Sequence, residues 1–281
     1  MKDYILRATA GGGSVRIFAA STRNLVNDAA RLHGTTPVAS AALGRLLTAA
    51  AMMGATLKNE TDLLTLDMRG SGPIGGIVAV ANSSSQVKGY AINPHVQLQK
   101  NSQGKLDVGG ALGIGVLTVT KDMGLKEPFS GQVELVSGEV VEDITYYFAT
   151  SEQTPSSVAL GVLVDIDYSI KQAGGFIVQL LPGASDEVVN YLEAILSKLP
   201  PVTTMLESGS FNLDTMFAGL DVDVLDTVYP QYHCNCSRQK TFKALATIPR
   251  YNIEEMFAED GQISMHCHFC NADYCFTVQD F

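Results

Sequence analysis

At 281 residues and 46% hydrophobic content, the chain is long for a single core and is expected to form more than one packed domain. It has no run of about 18 apolar residues to span a membrane. Its first residues, Met1-Lys2-Asp3-Tyr4-Ile5-Leu6-Arg7, lack the apolar heart of a secretory signal, so a reducing cytoplasm is expected. The formal charge of −10 falls mostly on residues 185–231, where one lysine faces eight acids; an acidic chain without a basic stripe repels phosphate backbones, so no nucleic-acid partner is expected.

In chain order, Val15–Ala19 reads as a strand, and Ser40–Leu57 as a buried helix rich in Ala, Leu and Met, with Arg45 its only charge before Lys58. Leu63–Met68, Gly76–Val80, Gly113–Val119 and Val133–Val136 follow as strands, and Glu139–Thr150 as a helix. Val158–Asp167 and Gly175–Leu181 read as a closing hairpin. Residues 1–184 are therefore expected to be an α+β domain of mixed strands around a buried helix.

Residues 185–231 read as an amphipathic helical linker. Ser185 caps a helix with Asp186 and Glu187 in its first turn, apolar residues recur from Val188 to Leu199, and Pro200-Pro201 stops it. The short pieces Val202–Glu207, Asp214–Leu220 and Asp221–Leu225 are expected to be marginal helices that need a surface to lie on. Residues 232–281 form a small third part, with a helix over Ser237–Thr247 and a helix over Ile253–Glu259 capped by Asn252. Strands Ile263–Met265 and Tyr274–Val278 complete it.

This last part holds all five cysteines. Cys234-x-Cys236 and Cys267-x-x-Cys270 are two doublets separated by thirty residues, the pattern of a four-thiolate zinc site with one ion per chain. Each doublet puts two sulfurs on one turn, and the second doublet closes the shell. His233, His266 and His268 adjoin the doublets as alternative ligands or outer partners, and Cys275 reads as a spare thiol. A four-sulfur shell leaves no open position for catalytic water, so no enzyme is expected. Gly70-Ser71-Gly72-Pro73-Ile74-Gly75 has the form G-x-G-x-x-G, but a proline stands where a phosphate-cradling helix would begin, so a glycine turn is expected. His95 and Ser151-Glu152-Gln153 show no triad or paired-carboxylate spacing.

The cysteine pattern resembles the heat-shock protein 33 family, redox-regulated holdase chaperones of bacteria. So do Pro37–Leu57 with Ala-Leu-Gly-Arg at 42–45, Gly70-Ser-Gly-Pro-Ile-Gly, Gly89-Tyr90 with Asn93-Pro94, and Ser151-Glu-Gln-Thr-Pro-Ser. The likeness runs through essentially the whole chain. It implies zinc held by Cys234, Cys236, Cys267 and Cys270 in an inactive reduced state. It also implies oxidation to Cys234–Cys236 and Cys267–Cys270 disulfides with zinc release, linker unfolding and ATP-independent binding of unfolding client proteins, commonly by a homodimer. Leu192, Ile195, Leu196, Met216, Phe217 and Leu225 are then the residues expected to meet an apolar client. The rival reading is a structural zinc ribbon that binds nucleic acid or a regulatory partner.

Overall fold

A computed structural model describes residues 2–281. Strand β1 (Tyr4–Ala10) turns through three glycines, all at positive φ, into β2 (Val15–Ser21). Two helices follow, α1 (Arg23–His33) and α2 (Pro37–Gly54), then β3 (Leu63–Gly70), β4 (Gly76–Asn82) and β5 (Gln86–Ala91). After a short α3 (Val108–Leu112) come β6 (Gly115–Asp122), β7 (Phe129–Glu134), α4 (Val141–Thr150), β8 (Ser156–Val164) and β9 (Ile170–Leu180). The chain then runs through α5 (Asp186–Leu196), α6 (Val202–Ser208), α7 (Leu213–Met216), β10 (Asp223–Val228) and β11 (Gln231–Tyr232).

These strands make two sheets. Sheet 1 has the order β10-β1-β2-β9-β8 and sheet 2 the order β11-β5-β4-β3-β6-β7. Helix α2 packs into the core they share: its side chains join Ile5 and Phe18 of sheet 1 and Leu64, Leu66 and Ala79 of sheet 2 in one buried cluster. A helix buried on every side needs no polar face, which is why its sequence reads as almost unbroken Ala, Leu and Met. It is long and apolar enough to cross a membrane by composition, yet 89% of it is buried inside the protein, as a core helix is. Gly44, in the Ala-Leu-Gly-Arg stretch, sits where a Cβ would lie 2.5 Å from Val26 Cγ1, so glycine lets α1 close onto α2. Arg45 then bridges to Glu139 through both its carboxylate, at 2.5 Å, and its carbonyl, at 3.0 Å.

Sheet 1 is covered on both faces, because successive side chains of a strand point to opposite sides. Phe18 and Ile177 face α2, while Ile17, Ala19, Phe176 and Val178 face a second cluster built with α5, α6 and α7. Residues 185–231, read from sequence as a separate linker, are thus part of the first of two compact units, which ends at Tyr232. The α+β class holds as expected.

Two of the segments read from sequence take a different form in the first unit. Asp221–Leu225 was expected to be helical, yet Asp223–Val228 is strand β10, paired antiparallel with β1. Its β-branched residues, Val224, Thr227 and Val228, suit an extended edge once a partner strand is present. Val133–Val136 was expected to be a strand, but β7 ends at Glu134. The buried Asp143 carboxylate accepts the backbone N–H groups of Val136, Ser137, Gly138 and Val140 at 2.7–3.3 Å, which removes those donors from any ladder.

The second unit, His233–Phe281, contains α8 (Arg238–Leu245), α9 (Arg250–Asp260), β12 (Ile263–Cys267) and β13 (Ala272–Phe276), with a closing 3₁₀ turn at Val278–Asp280. Ser237 caps α8 by accepting the Lys240 N–H at 3.2 Å. Helix α9 starts at Arg250, with Pro249 at its N-cap, rather than at Ile253 after Asn252; the Pro249 carbonyl accepts the N–H groups of Asn252 and Ile253 at 3.0 and 3.3 Å, which draws Asn252 into the first turn. Gly261 ends it at positive φ.

Candidate metal centre

The second unit is held by a very small core. Leu245, Ile253, Ile263 and Phe276 are its buried apolar side chains, with Phe242, Ile248, Phe257, Met265 and Tyr274 partly covered around them. A unit of this size buries little surface, so its core alone gives it only marginal stability.

Against that core the four doublet cysteines converge. Cys234 and Cys236 alternate along the extended segment ahead of α8. Cys267 ends β12, and its carbonyl accepts the N–H groups of Cys270 and Asn271 at 3.2 and 2.8 Å, closing the turn that brings Cys270 back. All four sulfurs lie within 4.8 Å of one another. Cys234 Sγ is 3.8 Å from Cys267 Sγ, and Cys236 Sγ is 3.1 Å from Cys270 Sγ. A tetrahedron of ~2.3 Å metal–sulfur bonds has sulfur–sulfur edges of about 3.8 Å, so this donor set fits one ion with little movement. All four are free thiols, partly buried.

Strand parity explains which neighbours are left out. Met265 and Cys267 face inward on β12, while His266 and His268 face solvent; His266 Nδ1 pairs with the Asp273 carboxylate at 2.7 Å. His233 is exposed as well. Cys275 lies opposite Ser264 on the outward side of the β12–β13 ladder, between the inward Tyr274 and Phe276, and is exposed. None of these joins the four-sulfur cluster.

The cluster shares its protons unevenly. Burial works to raise the Cys236 thiol, but hydrogen bonds from the Tyr274 hydroxyl, 3.1 Å away, and from the other three cysteines outweigh it and bring it down to about 7. Donating to that sulfur pushes Tyr274 up to about 12. Burial, then hydrogen bonding to Cys236, pushes Cys270 up, and burial raises Cys234. Hydrogen bonds from its neighbours thus favour the charged form of Cys236.

The family model described as "Hsp33 protein" matches residues 3–277. The chain belongs to the Hsp33 family. It is 49% identical to the 33 kDa chaperonin of Agathobacter rectalis over 283 residues, covering all of this chain and 98% of that protein. It is likewise 49% identical to the 33 kDa chaperonin of Clostridium botulinum Eklund 17B, covering 100% and 96%. The crystal structure of the 33 kDa chaperonin (heat shock protein 33 homolog) from Thermotoga maritima superposes with a TM-score of 0.91 at 37% identity, covering all of this chain and 96% of that one.

In this Hsp33 chain the residues expected to meet a client are mostly hidden. Leu192, Met216 and Phe217 are buried against sheet 1, and Ile195 and Leu196 pack partly covered beside them. Leu225, on edge strand β10, is 58% exposed. Sequence reasoning missed the other half of this layer: Ile17, Ala19, Phe176 and Val178, the sheet face the helices cover. The signal was present, since β2 and β9 read as apolar runs without alternation, the mark of a strand covered on both sides. It also missed Tyr232, whose hydroxyl lies 3.1 Å from His33 Nε2. The glycine turn before β4 is as expected: a Cβ on Gly72 would lie 2.3 Å from the Ala111 carbonyl oxygen, so backbone fills the place a phosphate would need. His95 is exposed, and Glu152 is paired with Lys121 and Tyr147.

Proposed function

We propose that the chain is an ATP-independent holdase whose client surface stays covered while Cys234, Cys236, Cys267 and Cys270 hold one zinc ion. Oxidation of those thiols uncovers it. The observation that supports this most is the convergence of four free sulfurs in a unit with so little apolar core. When bound, zinc supplies a cross-link between the two cysteine segments, in a class of site that contributes about 10–16 kcal/mol to folding.

Oxidation by hydrogen peroxide removes two electrons from each pair of cysteine thiolates: an S–S bond forms, the O–O bond breaks, and two protons from solvent complete two waters. The pairs proposed from the family resemblance are Cys234–Cys236 and Cys267–Cys270. Either disulfide takes two donors out of the site, and the second unit then has too little buried surface to stay ordered. The preceding segment, β10 with α5–α7, would leave sheet 1 and offer Leu192, Ile195, Leu196, Met216, Phe217 and Leu225 to unfolding clients. The eight acids of 185–231 would keep the opened segment soluble. The active species is proposed to be a cytoplasmic homodimer, with no catalytic role and no nucleic-acid or membrane partner.

The test couples two readouts. Hydrogen peroxide with mild heat should release one zinc per chain, followed with a colorimetric chelator, in step with suppression of aggregation of a thermally unfolding test protein. Full holdase activity with zinc still bound would refute the reading. Salt-sensitive binding to DNA or RNA by the reduced form would instead favour a zinc ribbon.

A further inference from the structure

Beside the end of α2 the first unit contains a cavity of about 240 Å³ that the redox switch does not use. Arg16 of β2, Lys121 of β6, Glu152 and Gln179 of β9 supply its polar groups. Phe18, Met52, Phe148 and Ile177 supply apolar wall.

The charges are not balanced. Lys121 is paired with Glu152, which also accepts the Tyr147 hydroxyl at 2.9 Å. Arg16 has a neutral partner: its Nε and Nη2 both donate to Gln179 Oε1, at 3.1 and 2.6 Å. Gln179 is only 2% exposed, and its other end donates to Ser156 Oγ at 3.0 Å, so the amide that holds Arg16 is itself held. The guanidinium also lies 5.7 Å from the centre of the Phe18 ring. Among the described residues no carboxylate comes within ion-pair distance of Arg16. Its half-burial works to lower its pKa, against a smaller opposing pull from Glu152. The cavity thus has a pre-oriented planar cation without a counter-ion, set over hydrocarbon.

We propose that this cavity binds a small monocarboxylate with an apolar body, its carboxylate on Arg16 and its aromatic or short aliphatic part against Phe18, Met52 and Phe148. A lone positive charge calls for one negative charge, and the nearby Glu152 carboxylate disfavours a dianion. Methionines adapt to ligands of differing outline. The volume lies below the roughly 300–1,000 Å³ of pockets for drug-sized ligands, which limits the occupant to about the size of hexanoate or 3-phenylpropanoate.

The test titrates the reduced 281-residue chain with hexanoate, with 3-phenylpropanoate, with their neutral amides and with inorganic phosphate. Heat and the methyl resonances of Met52 and Met53 are the readouts. The carboxylates should bind at least about tenfold more tightly than the amides, as expected for charge-assisted hydrogen bonds, and should move those methyl signals. Phosphate should move neither. Arg16→Gln should abolish the preference for carboxylate over amide, and Arg16→Lys should keep part of it. The double variant Lys121→Met with Glu152→Gln preserves the site's net charge and leaves Arg16 intact, so it should retain the preference whether or not Arg16→Gln folds. Equal affinity for acids and amides, a preference that survives Arg16→Gln, or loss of it in the double variant would overturn the proposal.

Discussion

The Tyr232 hydroxyl donates to the Gly89 carbonyl at 2.8 Å and meets the Gly89 backbone nitrogen at 3.3 Å, tying the last residue of the first unit to β5. Strand β11 itself contributes only the two-residue pairing of Gln231 and Tyr232 with Gln86 and Val87. The tyrosine is therefore the main side-chain anchor two residues ahead of Cys234.

Tyr232→Phe keeps the ring and deletes the hydroxyl. The local loss should be about 1–2 kcal/mol, the usual range for a hydrogen-bonded polar group with its partner left behind. Hydrogen exchange of the reduced protein should show faster opening of residues 223–232 with β2 and β9 unchanged, and holdase activity should appear at lower peroxide. Unaltered exchange in 223–232 would show that Tyr232 anchors nothing.

Phe217 is fully buried and meets the Phe176 ring edge-on, with centroids 6.3 Å apart. Phe217→Ala should weaken the docking of α5–α7 by about 3–5 kcal/mol, the range for emptying a buried aromatic site. The expected outcome is client binding by the reduced form, measured as aggregation suppression without oxidant, while sheet 2 keeps its exchange protection. A variant that stays inactive until oxidised would separate this layer from the client surface.

Cys236→Ser and Cys275→Ser should part company. Cys236 touches both Cys270 and Tyr274, so its loss opens the sulfur shell, whereas Cys275 faces outward beside Ser264. Metal analysis should find one zinc per chain retained in Cys275→Ser and lost in Cys236→Ser. Exchange in 233–281 should rise to that of an unfolded chain in the second variant alone. Zinc retained by Cys236→Ser would remove this thiol from the proposed ligand set.

Asp280 secures the end of the second unit. Its carboxyl accepts the Thr277 N–H at 2.8 Å and the Arg238 guanidinium at 2.9 Å, and these, the backbone bond first, hold it below the ordinary value of 3.8. A depressed native pKa gives stability that is fully present above the unfolded value and is lost as pH falls through the folded one. Asp280→Asn should therefore lower the denaturant midpoint of the C-terminal unit by the same amount at pH 8 and pH 5. A deficit that disappears by pH 5 would contradict this assignment.

What sequence made legible follows from how locally each feature is determined. The cysteine doublets could be read because two donors on one turn are a short-range pattern. Helix α2 could be read because burial on all sides leaves a long unbroken apolar run, and Ser185 because it caps through its own Val188 N–H. Strand β10 could not: its partner β1 lies more than two hundred residues away, and so short a mixed stretch suits a helix or a strand until that partner is present. Helix α1 escaped because Thr22 makes no side-chain cap and no acid stands in its first turn. The covered face of sheet 1 stayed hidden for the same long-range reason, although half of its cover was named from the apolar spacing of α5.

Adjacent residues of β2 serve different masters: Phe18 belongs to the α2 side and Ile17 to the side beneath α5–α7. Sheet 1 is in effect a partition wall. Under the proposed switch, peeling away the outer layer would bare one surface while the room behind stayed sealed, so greasy area would be offered to a failing neighbour without melting the core. Recovery would then ask only that residues 185–281 settle back onto a template whose core stayed in place.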